Sequence, residues 1–178
     1  MDLHIIPECY VDTNLIETLV PPDGRRGYNH QKGCPNVAKT MREHAQLKDG
    51  FAVGIIDKDK RELDYAEIFD IIVDNEQLQL LKHPEKHHYF IRIVPIMERF
   101  ILTNAEEVGI DLKEYGLSSD LTTLCKMAKK IDSKDDAKFK RLFKDLKKKG
   151  ASGVVKLADW VTYLKENNYN TDLEYFKD

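Results

Sequence analysis

The sequence predicts an α/β fold, because short apolar runs alternate with helical patterns in its first half. The runs 3–7 and 51–56 are almost wholly apolar, which is typical of strands covered on both faces of a parallel sheet. Between them, residues 10–20 carry apolar side chains at spacings of three and four, as an amphipathic helix does. Strands alternating with helices favour an α/β sheet over a helical bundle or a β-sandwich.

Turn residues and helix caps mark where the helices and the loop of the first half begin and end. Pro21 and Pro22 end the first helix, since proline cannot continue it. A loop rich in glycine and basic residues then covers 23–35. Asn36 is the expected N-cap of a second helix that reaches about residue 47.

The second half changes from strand patterns to helical ones. Three further strands are predicted at 69–73, 78–81 and 88–94. From Pro95 onward the spacing predicts helices at 96–107, 119–131, 134–149 and 152–167. Residues after 167 are expected to pack loosely against the rest of the chain.

Length and composition point to one soluble domain. The 178 residues suffice for a single unit, with an α/β core over 1–100 and a helical extension over 101–178. No apolar run has the length of a membrane span, and no signal-peptide pattern is present, so we expect a cytoplasmic protein without a membrane partner. The spacing of the three cysteines argues against a zinc cluster and a disulfide framework: Cys9, Cys34 and Cys125.

Charge is distributed unevenly along the chain. The formal net charge is -3, yet residues 126–149 hold eleven basic side chains against four acidic ones. The predicted helix within this stretch has an apolar face of four residues, which directs its lysines outward: Phe139, Leu142, Phe143 and Leu146. The basic face is either a solvated surface or a salt-dependent contact for a nucleic-acid backbone.

Acidic side chains follow both strands of the first half. The run 51–56 ends in Asp57 and Asp59, and the run 3–7 ends in Glu8. Parallel sheets bind ligands beyond the carboxyl ends of their strands, so these carboxylates converge if the two strands are neighbours. Oxygen ligands without cysteine favour Mg²⁺ or Mn²⁺, the ions of metal-assisted phosphoryl chemistry. The alternative for Asp57 and Asp59 is a polar turn after the strand, since aspartate favours turns. The alternative for Glu8 is an acid at the start of a helix.

Three motifs together resemble the Toprim domain of primases, topoisomerases and overcoming-lysogenization-defect (OLD) nucleases. The first is Ile5-Ile6-Pro7-Glu8 followed by Asp12, and the second is Gly54-Ile55-Ile56-Asp57-Lys58-Asp59. The third, Lys32-Gly33-Cys34-Pro35-Asn36-Val37, is similar to the turn into a helix in the branch that contains the nucleases. Cys9 and Pro7 replace the usual glycine and valine of the family pattern, and the resemblance covers the first hundred residues.

The resemblance implies a mainly parallel Toprim-like sheet flanked by helices, and it assigns roles to the acids. Glu8 would act in acid or base chemistry, and Glu8, Asp57 and Asp59 would form the catalytic metal site. Asp12 would support that site from the start of the first helix, where negative charge is favoured. Glu98 would be a further metal ligand by analogy with the nucleases; its alternative is a solvated glutamate in the first turn of a helix.

The basic loop is a candidate phosphate site. Lys32, Arg25 and Arg26 are the side chains that could bind phosphate, and the alternative is a solvated connection.

These observations predict a function at the level of reaction type. We expect Mg²⁺-dependent phosphodiester hydrolysis on nucleic acid, in a defence or repair system with an ATPase or another protein acting in trans. The first alternative is a catalytically silent Toprim-like adaptor that binds a protein or nucleic acid through its basic helix. The second is a phosphatase or nucleotidyl transferase acting on a small substrate through the same acids.

Overall fold

Five strands form one sheet in this computed structural model, which describes residues 1–58 and 64–177. The strands are β1 (Ile5–Pro7), β2 (Ala52–Asp57), β3 (Asp70–Asp74), β4 (Leu78–Lys82) and β5 (His88–Ile93). Their order across the sheet is β1-β2-β5-β4-β3. The α/β class predicted from the sequence is therefore confirmed.

The sheet is mixed rather than mainly parallel. β1, β2 and β5 are parallel neighbours, whereas β4 pairs antiparallel with β5 and with β3. The chain between β3 and β4 is only residues 75–77, and a connection that short joins antiparallel strands. The parallel part of the sheet is thus confined to the three strands that the helices connect.

Helices cover both faces of the sheet. The part of the chain that the structure describes contains α1 (Tyr10–Leu19), α2 (Cys34–Glu43), α3 (Asp64–Glu67), α4 (Met97–Glu107), α5 (Leu121–Ala128), α6 (Ala137–Lys148) and α7 (Ser152–Asn167). One face packs against α2 and α3, and the other packs against α1 and the helices after β5. Among the described residues, none of these helices is long and apolar enough to cross a membrane.

Gly54 in β2 allows α2 to lie close to the sheet. A Cβ atom there would lie 2.6 Å from the Phe90 ring and 2.9 Å from Val37 Cγ1. Real Cβ contacts are not that short, so this position requires glycine while Val37 and Phe90 keep their places. The close packing brings the first turn of α2 to the carboxyl end of β1, where the Gly33 N–H donates to the Glu8 carbonyl (3.2 Å).

The second half of the predicted 23–35 loop is an ordered segment beside β1. The N–H of Asn29 donates to Ile5 O (3.2 Å), and the N–H of Gln31 donates to Pro7 O (3.1 Å). This segment therefore covers the outer edge of β1, which would otherwise expose unpaired backbone groups.

The expectation that Asn36 caps α2 is wrong. The N-cap is Gly33, with φ +89°, and Pro35 lies in the first helical turn, where its fixed φ is compatible with helix. The Asn36 amide donates instead to Lys32 O (2.7 Å). The helix therefore begins earlier than the cap preference of asparagine predicts.

The C-terminal helices share one core with the sheet. Apolar side chains of α4 to α7 belong to the same buried cluster as β1, α1 and the inner strands. The buried amide of Asn14 in α1 donates to Ser133 O (2.7 Å) and Asp136 O (3.2 Å), which fixes the chain between α5 and α6. α6 buries its four predicted apolar residues and ends before Gly150, which has φ +79°.

The chain after residue 167 packs tightly, so the expectation of a loose tail is wrong. Phe176 is 1% exposed, and its ring centroid lies 5.9 Å from that of Trp160. Tyr175 stacks on Tyr163 with ring centroids 3.6 Å apart. These aromatic contacts tie the tail to α7.

Candidate metal centre

Glu8 and Asp57 lie together at the carboxyl end of the parallel strands. Pro7, the last residue of β1, is opposite Ile55 in the β1–β2 pairing, so Glu8 follows β1 beside the last two residues of β2. Glu8 Oε2 accepts a hydrogen bond from the Asp57 backbone N–H (3.2 Å). The two residues are 2% and 5% exposed, so the structure places both predicted acids in a nearly buried position.

Asp57 also contacts the start of α4. Its Oδ1 accepts a hydrogen bond from the Met97 backbone N–H (2.9 Å), in the first turn of that helix. The partial positive charge of a helix N-terminus favours a carboxylate at this position. The next residue, Glu98, is a further nearly buried acid, 7% exposed, in the same helical turn as Met97.

Asp12 and Cys9 form the side of the site at the start of α1. Asp12 is 1% exposed and lies in the first turn of that helix. Burial raises the pKa of the Cys9 thiol well above its usual value, and the nearby carboxylates of Asp12 and Asp57 raise it further. Cys9 is therefore a neutral thiol at pH 7 and adds no negative charge to the acids beside it.

Cys125 is a residue of the helical extension that lies close to the acids. This residue of α5 lies close to Glu98 and, at longer range, to Asp57. Burial raises the pKa of its thiol, the Glu98 carboxylate raises it further, and the Lys129 ammonium opposes the shift. No sequence spacing connects an isolated cysteine in α5 with the strand ends, so sequence reasoning did not find it.

His30 lies within electrostatic range of Lys134 of the helical extension. The Thr13 hydroxyl donates to Cys9 O (2.7 Å), so His30 Nδ1, 2.9 Å from that hydroxyl oxygen, is the donor between them. The His30 ring also stacks on Tyr10 with centroids 4.7 Å apart. Burial lowers the pKa of His30, and the Lys134 ammonium lowers it further, so the imidazole is neutral at pH 7.

The structure separates the three predicted phosphate-binding residues. Lys32 is exposed and precedes Gly33, whose N–H binds the Glu8 carbonyl, so it lies at the edge of the acidic site. Arg25 and Arg26 are exposed near the other end of β1, where Gly27 O accepts from Asp2 N (2.8 Å). Six residues of extended chain correspond to roughly 20 Å. The structure therefore brings Lys32 close to Glu8 and leaves the two arginines apart from it.

A cavity of about 300 Å³ opens at that same amino end of the sheet, away from the acids. Lys165 lines it and contacts Asp23 (3.1 Å) and Asp2 (3.5 Å). One ammonium in this cavity therefore pairs with two carboxylates, and the cavity lies apart from Glu8 and Asp57.

The buried acids fit Mg²⁺ or Mn²⁺ in donor type. Glu8, Asp57 and Glu98 supply carboxylate oxygens, which these ions prefer, and the neighbouring Cys9 is a neutral thiol. The predicted ligand Asp59 lies outside the described residues. Within residues 1–58 and 64–177, no three His, Cys, Asp or Glu side chains are already arranged around a common metal position.

Comparison with protein families, with curated proteins and with solved structures gave no match for this chain. The Toprim resemblance therefore remains a prediction that rests on the motif residues themselves.

Proposed function

We propose that this protein hydrolyses phosphodiester bonds of nucleic acid with the help of Mg²⁺ or Mn²⁺. The contact between Glu8 and Asp57 carries the proposal, because it joins two buried acids at the carboxyl ends of neighbouring parallel strands. Ligands bind at this edge of open α/β sheets. Two carboxylates at this edge supply the oxygen ligands that a divalent cation such as Mg²⁺ prefers.

The acids have distinct roles in this proposal. Glu8 and Asp57 hold the ion, with Asp59 and Glu98 as further ligands and Asp12 as a supporting residue in α1. When bound, the ion stabilises negative charge on the phosphate oxygens and lowers the pKa of a coordinated water. Glu8 also accepts or donates a proton at its carboxylate. Because Glu8 is nearly buried at the end of β1, little bulk water competes for that proton.

The exposed basic residues attract the substrate. Lys32 stands at the edge of the site, and Lys129 lies close to Cys125 on its far side. The backbone of the nucleic acid would pass between these two lysines. Its phosphates would approach the carboxylates only when the bound ion offsets the repulsion between like charges. The biological setting that we propose is a defence or repair system in which an ATPase or another protein acts in trans.

The test combines metal binding and cleavage. Calorimetric titration of MnCl₂ into the wild type should give heat, and a panel of DNA, RNA and mononucleotides should show metal-dependent cleavage of the nucleic acids. Glu8→Gln should lose both signals, because a neutral amide is a poor ligand for these ions yet still accepts from the Asp57 N–H. Glu106→Gln, an exposed acid of α4, is the matched control and should behave as the wild type.

Two outcomes would overturn the proposal. Absence of metal-dependent heat in the wild type would remove the metal site. Cleavage of mononucleotides without cleavage of nucleic acid would favour a phosphatase or nucleotidyl transferase for small substrates.

A catalytically silent adaptor is the second candidate. The hydrogen bonds between the acids and backbone N–H groups favour it. Glu8 and Asp57 each accept a backbone N–H, as acids in a purely structural role do. In this case α6 would bind the partner, since Lys144 and Lys148 are exposed on its outer face. Replacing both by glutamine should then weaken salt-dependent binding of labelled duplex DNA, whereas Lys39→Gln on α2 should not. Metal-dependent cleavage by the wild type would exclude this candidate.

A further inference from the structure

The strand register aligns polar side chains across the sheet at its carboxyl end. Arg92 of β5 is opposite Ile56 of β2 on one side and opposite Gln79 of β4 on the other. Paired residues of neighbouring strands point to the same face, here the face covered by α2 and α3. Glu8 follows Pro7, the last residue of β1, which is opposite Ile55, so Glu8 lies at the same edge of the sheet one strand beyond β2.

Arg92 is a half-buried cation near the carboxyl end of β5. Among residues 1–58 and 64–177, its guanidinium makes no hydrogen bond, ion pair or ring contact. Arg141, by contrast, donates to Glu114 O (2.8 Å) and lies over the Tyr115 ring. Burial lowers the pKa of Arg92, the direction expected for a cation that loses part of its hydration. A partly desolvated guanidinium is costly unless an anion compensates it.

Gln79 is an unsatisfied amide beside that cation. The residue is 2% exposed, and within the described part of the chain its buried Oε1 has no hydrogen-bond partner. Buried polar atoms normally have partners, so this one requires an explanation. As a cross-strand neighbour of Arg92, it has its Cβ about 5 Å from that of the arginine. A rotation of the amide by 180° presents its NH₂ group in the place of the oxygen.

The first turn of α2 adds positive potential to this position. Cys34, the first residue of α2, lies close enough to Arg92 to oppose the lowering of its pKa, which places the start of that helix near the guanidinium. Helix N-termini carry partial positive charge, and the ten-residue α2 directs its N-terminus to the carboxyl end of the sheet. The exposed Lys32 precedes that turn. The helix N-terminus and Lys32 therefore add positive potential on the side of α2.

We propose that Arg92 and Gln79 form a phosphate-binding site for the backbone of a nucleic acid. The inference rests on the proposed function and adds a contact that positions the substrate. The planar guanidinium donates two parallel hydrogen bonds to phosphate oxygens, and the Gln79 amide donates a third. Two strand spacings, about 10 Å, separate this site from Glu8, so a phosphate beside the scissile one reaches it along the same strand.

The test measures binding without metal. A fluorescein-labelled 12-nucleotide single-stranded DNA is titrated with protein in EDTA, and fluorescence anisotropy gives the Kd. Arg92→Met should raise the Kd about 10-fold or more, since a charge-assisted bidentate contact is lost. Arg42→Met removes an exposed arginine from the distant end of α2, and its Kd should stay within about twofold of the wild type.

Thermal unfolding separates a binding role from a structural one. Arg92→Met should leave the Tm unchanged or raise it, because the variant no longer desolvates an unpaired charge. Gln79→Glu should raise the Tm and weaken DNA binding, because the new carboxylate pairs with Arg92 and repels phosphate. A structural arginine would give the opposite result, a lower Tm with unchanged DNA binding.

The outcomes distinguish this inference from the proposed function. An unchanged Kd in Arg92→Met overturns the phosphate site even if the wild type cleaves DNA. A raised Kd in a protein without metal-dependent cleavage supports the phosphate site and removes the enzymatic function. Displacement of the DNA by thymidine 5′-monophosphate at equal phosphate concentration would overturn the assignment to a nucleic-acid backbone, because it identifies a terminal phosphate as the ligand.

Discussion

Asp57 Oδ1 accepts a hydrogen bond from the Met97 backbone N–H at a distance of 2.9 Å, so one carboxylate joins the end of β2 to the start of α4. The same side chain is the central ligand of the proposed metal site. Its structural and chemical roles are separable, because the hydrogen bond needs only an acceptor and a metal needs the negative charge.

Asp57→Asn should separate these roles. The amide oxygen keeps the hydrogen bond from Met97, so we expect the free energy of unfolding to change by less than about 1 kcal/mol. Asp57→Ala leaves that buried N–H without its acceptor and should cost about 1–3 kcal/mol. Urea unfolding followed by circular dichroism measures both. In calorimetry with MnCl₂ both variants should lose the heat of the wild type, and retention of that heat in Asp57→Asn would contradict a ligand role.

His88 should make stability depend on pH. It is fully buried, its Nε2 is 2.8 Å from Leu47 O, and the Tyr65 hydroxyl is 2.6 Å from its Nδ1. The carbonyl accepts from Nε2–H, so Nδ1 is the unprotonated nitrogen. Burial lowers the pKa of His88, and the nearby Lys86, His83 and Lys82 contribute in the same direction.

The sign of the pH effect follows from the lowered pKa. An unfolded histidine titrates near pH 6.5, so below that pH the unfolded chain binds a proton that the folded chain excludes. Stability is therefore full above about pH 6.5 and is lost as the pH falls towards the folded-state pKa. Urea unfolding between about pH 7.5 and 5.5 should give a shallower slope for His88→Gln than for the wild type. The exposed neighbour His87→Gln is the control, and an equal slope in both variants would refute the assignment.

Gly54→Ala should destabilise the fold through the packing of α2 on β2. The new methyl group would lie 2.6 Å from the Phe90 ring, and overpacking of this kind costs about 1–3 kcal/mol. Chemical unfolding of Gly54→Ala, Phe90→Leu and the double variant measures the coupling. We expect the double variant to be more stable than the sum of the single effects predicts. Strict additivity would show that the ring does not limit the space at Gly54.

Phe176→Ala should destabilise the protein, because the tail belongs to the core. The side chain is 1% exposed between Trp160 and Tyr163, and truncation of a buried phenylalanine costs about 3–5 kcal/mol. Tyr175→Ala removes a neighbouring ring that is 41% exposed and should cost less. Thermal unfolding compares the two, and equal Tm values for Phe176→Ala and the wild type would show a loosely attached tail.

Local patterns predicted much of the fold. The helix bounds at 152–167 agree with α7, and the apolar spacing in α6 predicted its buried face. Asp120 is a residue type that favours N-caps, and it accepts from the Thr123 N–H (2.9 Å) at the start of α5. These features depend on residues within one or two turns of each other, which is why the sequence shows them directly.

The composition of the candidate site was only partly predictable. The sequence singled out Glu8, Asp57 and Glu98, because each stands at a strand end or in a first helical turn. It did not indicate Cys125 or Arg92, since an isolated cysteine and an arginine within a strand have no distinctive spacing.

The sequence by itself determined the α/β class, the acids at the strand ends and the amphipathic character of the helices, because periodicity and turn chemistry are local. Only the tertiary structure decided that β5 lies beside β2, that β3 and β4 make the sheet mixed, and that the helical extension reaches the acids. It also separated Arg25 and Arg26 from Lys32 along β1. The physical reason is that strand pairing and helix packing join residues far apart in the chain, and their hydrogen bonds and contacts leave no regular spacing in the sequence.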